Sequence, residues 1–505
     1  MSELAENALA KAKPYKAPPK TRGRKGAAGE DGIAEAVARI NVNHALVLHG
    51  TTALVMREVV GESGRPEISF QLPRDFALWF STEKFQVDDK KVGIGAIWLG
   101  HPDRRQYEGI TFIPAGWEHK IGDVIEPNIG GVPGWYNLWR GYAVEPAAFV
   151  GDPDDHLPHF SLLADHVRKN IALGREDIEL WLWGWAAHLI QRPTERVGAT
   201  PVLQGRMGTG KSVFGEHIGH LIGDHYVGVS SSRYLVGNFN AHMANCLLLQ
   251  GEEAFWAGDA EAAGVLKDLV TSKKHLIEGK HRDAVNVRNY IHLLLTSNED
   301  FVVPAGLEER RWAVFRVGGE NMQDSTYFEA MQRQMEGGGY AHLLAWLIRL
   351  DLARVNLRAI PATQALWEQK AAALPPEQSW WLLKLRDGKL LLHDHEWETE
   401  VVTRLLYRSY SLYATELGVR RKKTEEQLAQ AMAKLLPEGY PQRTRPWRDV
   451  RTDDGSTVRR RERCYVLPPL TECRAHFCRL ANWSLDWGEG EGEGDPDSGF
   501  REAAE

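Results

Sequence analysis

The sequence predicts an α/β protein in which strands and helices alternate in the middle of the chain. An α+β region precedes this core, and a unit of helices with a β-hairpin follows it. Between about residues 196 and 375, apolar runs that end in polar side chains read as strands, and segments of helical period lie between them. Before residue 150 the apolar runs are short and lie between Gly and Pro turns, whereas apolar residues recur at helical spacing from Phe160 to Gln191.

These changes of pattern divide the chain into consecutive segments. Residues 1–31 are rich in Ala, Pro, Lys and Gly, and residues 487–505 are acidic and rich in Gly, so we expect a disordered basic arm and a disordered acidic tail. The segments between them are an accessory α+β domain over residues 32–150, a helical lead-in over 151–195, the α/β core over 196–375 and the helix-and-hairpin unit over 376–486.

The composition limits the classes of protein that this chain can belong to. The 505 residues carry a net charge of -7, so the chain as a whole is not a basic nucleic-acid coat and any binding to polyanions depends on local patches. No apolar run approaches the ~18 residues of a membrane span. The four cysteines contain no CxxC pair. We therefore expect a soluble protein of a reducing, cytoplasmic compartment, with no membrane partner.

The stretch GRMGTGKS, from Gly205 to Ser212, matches the phosphate-binding pattern GxxxxGK[ST] without a mismatch. Glycines let backbone N–H groups approach phosphate oxygens, and the segment that follows is predicted to be a helix whose N-terminal dipole favours anions. Lys211 is expected to contact the β- and γ-phosphates, and the Ser212 hydroxyl to bind Mg²⁺. The residues expected around the phosphates are Gly205, Gly208, Thr209, Gly210, Lys211 and Ser212.

Two further apolar strands are predicted to end in polar side chains. In CLLLQGEEAFW the strand ends in Glu252 and Glu253, and we assign Glu252 to the metal and Glu253 to the attacking water. Because Gln250 interrupts the apolar run, these two roles can also be exchanged. In YIHLLLTSNED the strand ends before Asn298, whose amide is expected to sense the γ-phosphate; a simple turn is the alternative for this motif alone.

Two predicted hairpins are basic. One lies in HLIEGKHRDAVNV, and the other in RTRPWRDVRTDDGSTVRRRERCYVLP. A basic hairpin can bind the phosphate backbone of a nucleic acid, whereas a solvated charged turn or, for the second hairpin, a protein-docking surface remains the alternative. The side chains expected to contact nucleic acid are Lys280, His281, Arg282, Arg459, Arg460 and Arg461.

The stretch VPAGLEERRWAVFRV places Arg310 and Arg311 between two glutamates and a predicted strand. A guanidinium pair beside a buried strand needs an anionic partner. That partner is either the local pair Glu308 and Glu309 or a phosphate bound elsewhere. An exposed local ion pair is worth under ~1 kcal/mol, whereas a guanidinium aimed at a reacting phosphate contributes on the order of 10³-fold to rate.

The order of these motifs resembles that of superfamily 3 helicases, and more closely the C-terminal NTPase region of phage, plasmid and poxvirus-type primase-helicases. The order is GxxxxGKS, EE after an apolar strand, the pair Leu266-Lys267, a Lys-tipped hairpin, TSN and then Arg, between about Thr200 and Val317. The resemblance implies an AAA+-like P-loop NTPase core that binds ATP and Mg²⁺ and assembles into a ring, usually a hexamer. It also implies that an arginine after the sensor asparagine reaches the ATP of the adjacent subunit; Arg310 matches this position best, and Arg311 is the close alternate.

The resemblance implies DNA as the partner, with a single strand through the ring. Helix, helix and hairpin in residues 376–486 is the outline of a winged helix, which is expected to bind duplex. Relatives often carry a primase or primase-polymerase module, whose carboxylate pair is not found in residues 32–150, so a separate primase or polymerase is an expected partner.

The function expected first is an ATP-dependent DNA helicase in the replication of a phage, prophage or plasmid, in the cytoplasm of a bacterial host. The alternative is a P-loop ATPase that initiates replication or loads replication partners on DNA without processive unwinding. A third class is a DNA-binding origin protein in which the nucleotide is only a structural switch. The basic hairpin and Arg310 favour a motor over this third class, because a passive switch needs neither.

Overall fold

The computed structural model describes most of the chain between residues 28 and 487. The described ranges are 28–60, 66–120, 124–127, 132, 134–231, 234–235, 237, 240, 243–252, 260–277, 285–303, 305–451 and 457–487. The predicted acidic tail lies outside the described residues from 488 onward, and the predicted basic arm lies outside them up to residue 27. A helix begins at Ala28, within the segment expected to be disordered.

The chain folds into two compact units. The first contains Met1–Thr111 and Gly131–Asn137, and the second contains Phe112–Gly130 and Leu138–Glu505. The accessory region predicted over residues 32–150 is therefore divided between the two units.

The first unit is an α+β fold. Its main sheet has four strands in the order β3-β2-β1-β6, antiparallel except for the parallel pair of β1 and β6, and its buried core includes Val55, Phe76 and Trp98. The helices are α1 (Ala28–Asn43), α2 (Pro73–Trp79) and α3 (Ile94–Gly100). The strands are β1 (His44–His49), β2 (Thr52–Val60), β3 (Pro66–Gln71), β4 (Lys84–Val87), β5 (Lys90–Gly93), β6 (Gln106–Tyr107), β7 (Gly109–Thr111) and β10 (Trp135–Asn137).

The second unit is built on a five-stranded parallel sheet in the order β12-β13-β16-β11-β17. The predicted α/β class is thus confirmed, and the structure adds that the sheet is parallel. Successive residues of β11 enter different cores: Leu203 packs with the helices on one face, and Val202 packs on the other face. Burial on both faces explains why these strands are continuous apolar runs. Their bounds are β11 (Thr200–Gln204), β12 (Tyr226–Val229), β13 (Leu248–Gly251), β16 (His292–Ser297) and β17 (Trp312–Arg316).

Helices cover both faces of this sheet. The lead-in contains the fully buried Trp181 and Trp185, which explains its strong apolar period. The helices are α4 (Ser161–Asp165), α5 (Glu176–Gln191), α6 (Val213–Ile222), α7 (Ala260–Thr271), α8 (Ser325–Gln334), α9 (Tyr340–Arg349) and α10 (Gln364–Ala372), with π-helical turns at His166–Ile171 and Met335–Gly339 and 3-10 turns at Pro153–Phe160, Gly223–His225 and Leu352–Arg354. Two antiparallel pairs lie beside them, namely β8 (Trp117–Lys120) with β9 (Val124–Pro127) and β14 (Lys274–Ile277) with β15 (Val285–Arg288).

The C-terminal part has a core of its own, to which α10 also contributes through Trp367. A small sheet in the order β18-β22-β19 packs with helices, and a separate hairpin of β20 and β21 extends the chain between β19 and β22. The elements are α11 (Pro376–Asp387), β18 (Glu400–Val402), α12 (Thr403–Glu416), α13 (Glu425–Leu435), β19 (Gln442–Thr444), β20 (Trp447–Arg451), β21 (Thr457–Arg461), β22 (Cys464–Val466) and α14 (Leu470–Ala481). The expected two strands are therefore four, because each arm of the hairpin is interrupted, at residues 445–446 and 462–463. Among the described residues, no helix is long and apolar enough to span a membrane.

Candidate nucleotide-binding site

The phosphate loop, the acidic strand end at Glu252 and the sensor strand end at Asn298 meet at one edge of the parallel sheet, whereas Arg310 and Arg311 precede β17 at its other edge. Strand β11 ends in the phosphate loop, and its neighbour β16 ends just before Asn298. The register pairs Gln204 with Ser297, and the Gly205 N–H donates to the Ser297 carbonyl oxygen over 3.0 Å. Strand β13, which leads to Glu252, pairs with the other side of β16. Because the carboxyl ends of parallel strands share an edge, the three motifs begin at adjacent positions.

The phosphate loop has a backbone that depends on glycine. Gly208 and Gly210 have φ angles of +81° and +80°, a region that side-chain-bearing residues rarely adopt. A Cβ on Gly210 would lie 2.6 Å from the Phe328 ring and 2.7 Å from that of His166. The Lys211 Nζ donates to the carbonyl oxygen of Arg206 over 3.2 Å, so the ammonium lies beside the loop. This cradle of backbone with one ammonium fits the phosphates of a nucleotide.

A π-helical turn before the sheet clamps the same loop. The Asn170 Nδ2 donates to the Thr209 carbonyl oxygen over 2.8 Å, and the His166 Nε2 lies 3.1 Å from the carbonyl oxygen of Gly210. Since a carbonyl only accepts, the proton of His166 is on Nε2, and the Tyr327 hydroxyl donates to Nδ1 over 3.2 Å. Burial lowers the pKa of His166, which favours this neutral form. Single π-turns are frequent at functional sites.

Gln250 connects the phosphate loop with the acidic strand end. It is fully buried, and its Nε2 lies 3.3 Å from the Ser212 carbonyl oxygen and 3.4 Å from the Glu252 Oε1. The Tyr226 hydroxyl donates to the Oε1 of Gln250 over 3.0 Å, which fixes the orientation of the amide. The backbone of Ser212 and the carboxylate of Glu252 therefore both lie beside the amide nitrogen of Gln250. A hydroxyl and a single carboxylate fit Mg²⁺, which usually keeps several waters.

The charge of Glu252 also affects a carboxyl group on the helix that follows the phosphate loop. The pKa of Glu216, on α6, is raised by burial and by the neighbouring charge of Glu252. Two carboxylates are thus close to the Ser212 end of the loop. Among the described residues, however, no group of three or more His, Cys, Asp or Glu side chains is arranged to hold a metal by itself.

The loop after the sensor strand is pinned by two buried glutamines. The Gln204 Nε2 donates to the carbonyl oxygens of Glu299 and Asp300 over 2.9 and 3.1 Å. The Gln369 Oε1 accepts from the Val302 N–H over 2.8 Å. Asn298 itself is exposed at the edge of the sheet. Buried side chains therefore bind the loop beside Asn298, while Asn298 itself faces solvent.

Arg310 and Arg311 differ in their contacts, because a buried carboxylate binds the guanidinium of only one of them. The side chain of Glu309 is 4% exposed, and its Oε1 accepts from the backbone N–H groups of Arg310 and Arg311, each over 3.0 Å. The Arg311 NH1 also donates to both carboxylate oxygens, over 2.8 and 3.0 Å. The Arg310 side chain is exposed and forms no ion pair within the part of the chain that the structure describes. Arg311 thus has a local partner, and Arg310 projects outward.

The tip of the first basic hairpin lies outside the described residues, and so does one member of the acidic pair. The strands β14 and β15 flank this tip and pair in antiparallel register from Lys274 with Arg288 to Ile277 with Val285. The predicted residues that fall outside are Glu253, Lys280, His281 and Arg282.

The second basic hairpin separates its arginines by face. The Arg460 NH2 lies 3.0 Å from the Oε1 of Glu462, whose side chain is 8% exposed. Arg404, on α12, lies 3.1 Å from the same oxygen. Arg459 and Arg461 form no ion pair with a described residue, and both are exposed.

Parts of the sequence match a protein family and a phage protein. Residues 203–311 match a family of unknown function (DUF5906). A DNA primase-polymerase of Nitratiruptor phage NrS-1 is 24% identical over 253 residues, which is 46% of this chain and 35% of that protein. The chain thus spans about a third of the length of the curated relative it matches.

The solved structures of the C-terminal region of NrS-1 show the same fold. One apo structure has a TM-score of 0.55 at 14% identity and covers 86% of this chain and 98% of that region. Its A-form apo structure has a TM-score of 0.53 at 16% identity, with the same coverage. At such identities the similarity concerns the fold, and the roles of the site residues stay predictions.

The side chains that sequence reasoning missed are His166, Asn170, Gln204 and Gln250. Gln250 had a signal, because a polar residue within a buried strand needs a partner. His166 and Asn170 had none, because their contacts cross about 40 residues of chain to the phosphate loop.

Proposed function

We propose that this protein is an ATP-dependent DNA helicase that acts in the replication of a phage, prophage or plasmid. The carrying observation is the contact of Gln250 with Ser212 and Glu252, which joins a glycine-rich phosphate loop to a carboxylate at the adjoining strand end. A five-stranded parallel sheet with these motifs at its carboxyl edge supports an AAA+-like P-loop NTPase core.

The residues at this edge divide the work of ATP hydrolysis. ATP with Mg²⁺ supplies the phosphoanhydride bond whose hydrolysis drives motion. The backbone N–H groups of the loop and Lys211 would bind its phosphates, while Ser212 and Glu252 would hold the metal and its waters. Glu253 is the proposed base for the attacking water, and Asn298 orients that water from the neighbouring strand end.

The split arginine pair supports a ring with ATP between subunits. Glu309 fixes the backbone of Arg310 but binds the guanidinium only of Arg311, so the Arg310 guanidinium is available to a phosphate on an adjacent subunit. In related phosphoryl-transfer sites such an arginine raises the rate by about 10³- to 10⁵-fold. We propose Arg310 as this residue and a hexamer as the assembly.

The relative supports DNA as the partner. It is named as a DNA primase-polymerase of a phage, and this chain matches about a third of it. We propose that this chain supplies the motor in the cytoplasm of a bacterial host and that a separate primase or polymerase makes the primer. The basic hairpins would contact DNA, with the strand inside the ring near Lys280 and the duplex near residues 376–486.

The proposed function is tested by ATP hydrolysis and strand displacement on a forked duplex. Wild-type protein should hydrolyse ATP and separate the strands of the fork. Lys211→Ala should lose both activities, because Arg206 is then the only cationic side chain left in the phosphate loop. Lys90→Ala, which removes an exposed lysine of β5 in the first unit, is the matched control and should behave as wild type. Hydrolysis that DNA stimulates without any strand displacement would support the loader alternative instead. A fully active monomer would contradict the ring.

A further inference from the structure

The β20–β21 hairpin has two chemically different faces. Its register pairs Trp447 with Arg461, Arg448 with Arg460 and Asp449 with Arg459. Because side chains alternate along a strand, the pair of Trp447 and Arg461 shares a face with the pair of Asp449 and Arg459, and the pair of Arg448 and Arg460 lies on the other.

The face of Arg448 and Arg460 is tied to the rest of the C-terminal part. Arg460 lies 3.0 Å from Glu462, and the Arg448 NH2 lies 3.6 Å from Glu400 on β18. These ion pairs hold the hairpin in place, so the opposite face is directed away from these carboxylates.

That opposite face carries an indole in solvent. Trp447 is 58% exposed, although a tryptophan of a folded protein is usually well buried. The guanidinium carbon of Arg461 lies 5.5 Å from the centroid of its ring, within the range of a cation–π contact. All residues of β21 are exposed. This face therefore carries a solvated indole beside two exposed arginines, with Asp449 opposite one of them. An exposed aromatic ring with guanidinium groups beside it suits a base and its adjoining phosphates.

We infer that this outer face binds single-stranded nucleic acid, with an unpaired base stacked on Trp447 and the adjoining phosphates on Arg459 and Arg461. The inference deepens the proposed function, since it names the form of DNA that this part of the motor holds. Bases in a duplex are already stacked on each other and cannot reach an indole, so the site selects unpaired strands. This differs from the duplex contact that the winged-helix outline implies.

The test uses the full chain, without nucleotide, and measures the anisotropy of a fluorescein-labelled oligothymidylate and of a blunt duplex. Trp447→Ala should weaken binding of the single strand by about 5- to 100-fold, the range typical of one stacked base. Duplex affinity should change by less than about twofold. Trp447→Phe keeps a ring and should stay within about threefold of wild type. Trp79→Ala removes a tryptophan that is 72% exposed in the first unit and should have no effect.

Salt dependence separates stacking from charge. Trp447→Ala should leave the slope of log affinity against log salt unchanged, because no phosphate contact is lost. Arg459→Ala should lower that slope by about 0.7. Single-strand affinity equal to wild type in Trp447→Ala would overturn the inference. An equal loss for single strand and duplex would overturn it too, since it would indicate a charged or protein-docking surface rather than a base platform.

Failure of this inference is distinguishable from failure of the proposed function. The same titrations in a Lys211→Ala background do not require ATP hydrolysis, so a Trp447-dependent preference for single strands there supports the platform whether or not the protein is a motor. Conversely, a motor that separates forks while Trp447→Ala binds like wild type refutes the platform alone.

Discussion

Two arginine-rich segments of this protein are organised in the same way although their surroundings differ. In the loop before β17, the buried Glu309 binds the guanidinium of Arg311 and leaves Arg310 exposed. In the C-terminal hairpin, the buried Glu462 binds Arg460 and leaves Arg459 and Arg461 exposed. In each segment a buried carboxylate binds the guanidinium of one arginine and forms no ion pair with its exposed neighbours.

The difference between the segments lies in what decides the division. In the hairpin it follows from strand alternation, so neighbours along the chain must point to opposite faces. The loop at residues 308–311 has no repeat, and only the position of the Glu309 carboxylate selects Arg311. A run of arginines therefore cannot be treated as one unit of function, and the variants below separate its members.

The largest effect is expected within the loop pair. Arg310→Ala should lower kcat for ATP hydrolysis by about 10³-fold with an unchanged melting temperature, because it removes an exposed guanidinium that acts on a neighbouring site. Arg311→Ala should instead lower the unfolding free energy by about 1–3 kcal/mol, since Glu309 loses its charged partner. Steady-state hydrolysis and thermal unfolding measure the two. Equal rates in the two variants would show that the pair is not divided by function.

Mixing the variants tests whether Arg310 acts across a subunit boundary. A mixture of Lys211→Ala and Arg310→Ala chains contains boundaries at which an intact phosphate loop meets an intact arginine, so part of the hydrolysis should return. Either variant alone should stay inactive. An absence of recovery in subunits shown to exchange would mean that Arg310 acts within its own chain.

Substitution of Gln250 tests whether its buried hydrogen bonds affect ATP hydrolysis as much as the exposed Arg310 does. Gln250→Leu should lower kcat by about 10- to 100-fold, because Ser212 and Glu252 lose their common neighbour and small displacements of reacting groups are costly. The Mg²⁺ concentration for half-maximal rate should rise. Tyr226→Phe removes only the hydroxyl that orients the amide and serves as the milder control.

The same mixing assay places Gln250 on one side of the shared site. Gln250→Leu should recover with Arg310→Ala, which supplies an intact phosphate loop, and should fail to recover with Lys211→Ala. A merely structural loss would give no such pattern, and an unchanged Mg²⁺ requirement would contradict the role of Gln250 as a positioning residue.

Substitution of Glu309 is expected to have a smaller effect, and it should act on the side of the shared site that supplies the arginine. Glu309→Gln keeps an oxygen for the two backbone N–H groups but loses the charge that holds Arg311, so kcat should fall about tenfold as the Arg310 backbone loosens. KM for ATP should stay near wild type. Recovery on mixing with Lys211→Ala would place Glu309 with the arginine, and a changed KM without loss of kcat would refute that placement.

The sequence predicted the parts of the site that are local in the chain. The ends of β11 and β16 followed from apolar runs that stop at polar residues, and the phosphate loop followed from its glycines. The clamp formed by His166 and Asn170 was not predictable, because their partners are distant in sequence and neither residue type is unusual in a helix. The sequence also left undecided which of Arg310 and Arg311 has a local partner, because this depends on where the Glu309 carboxylate is buried.

The smallest effect, and the sharpest comparison within the hairpin, is expected between neighbours at residues 459 and 460. Arg459→Ala should weaken single-strand binding about threefold near physiological salt and lower the salt slope, because an outward phosphate contact is lost. Arg460→Ala should leave the salt slope unchanged and lower the unfolding free energy by under ~1 kcal/mol, since its guanidinium pairs with Glu462 and is half exposed. Anisotropy titrations at several salt concentrations, with thermal unfolding, measure both. If Arg460→Ala lowers the slope as much as Arg459→Ala does, then alternation does not separate the two faces, and the hairpin binds nucleic acid as an undivided cluster of charge.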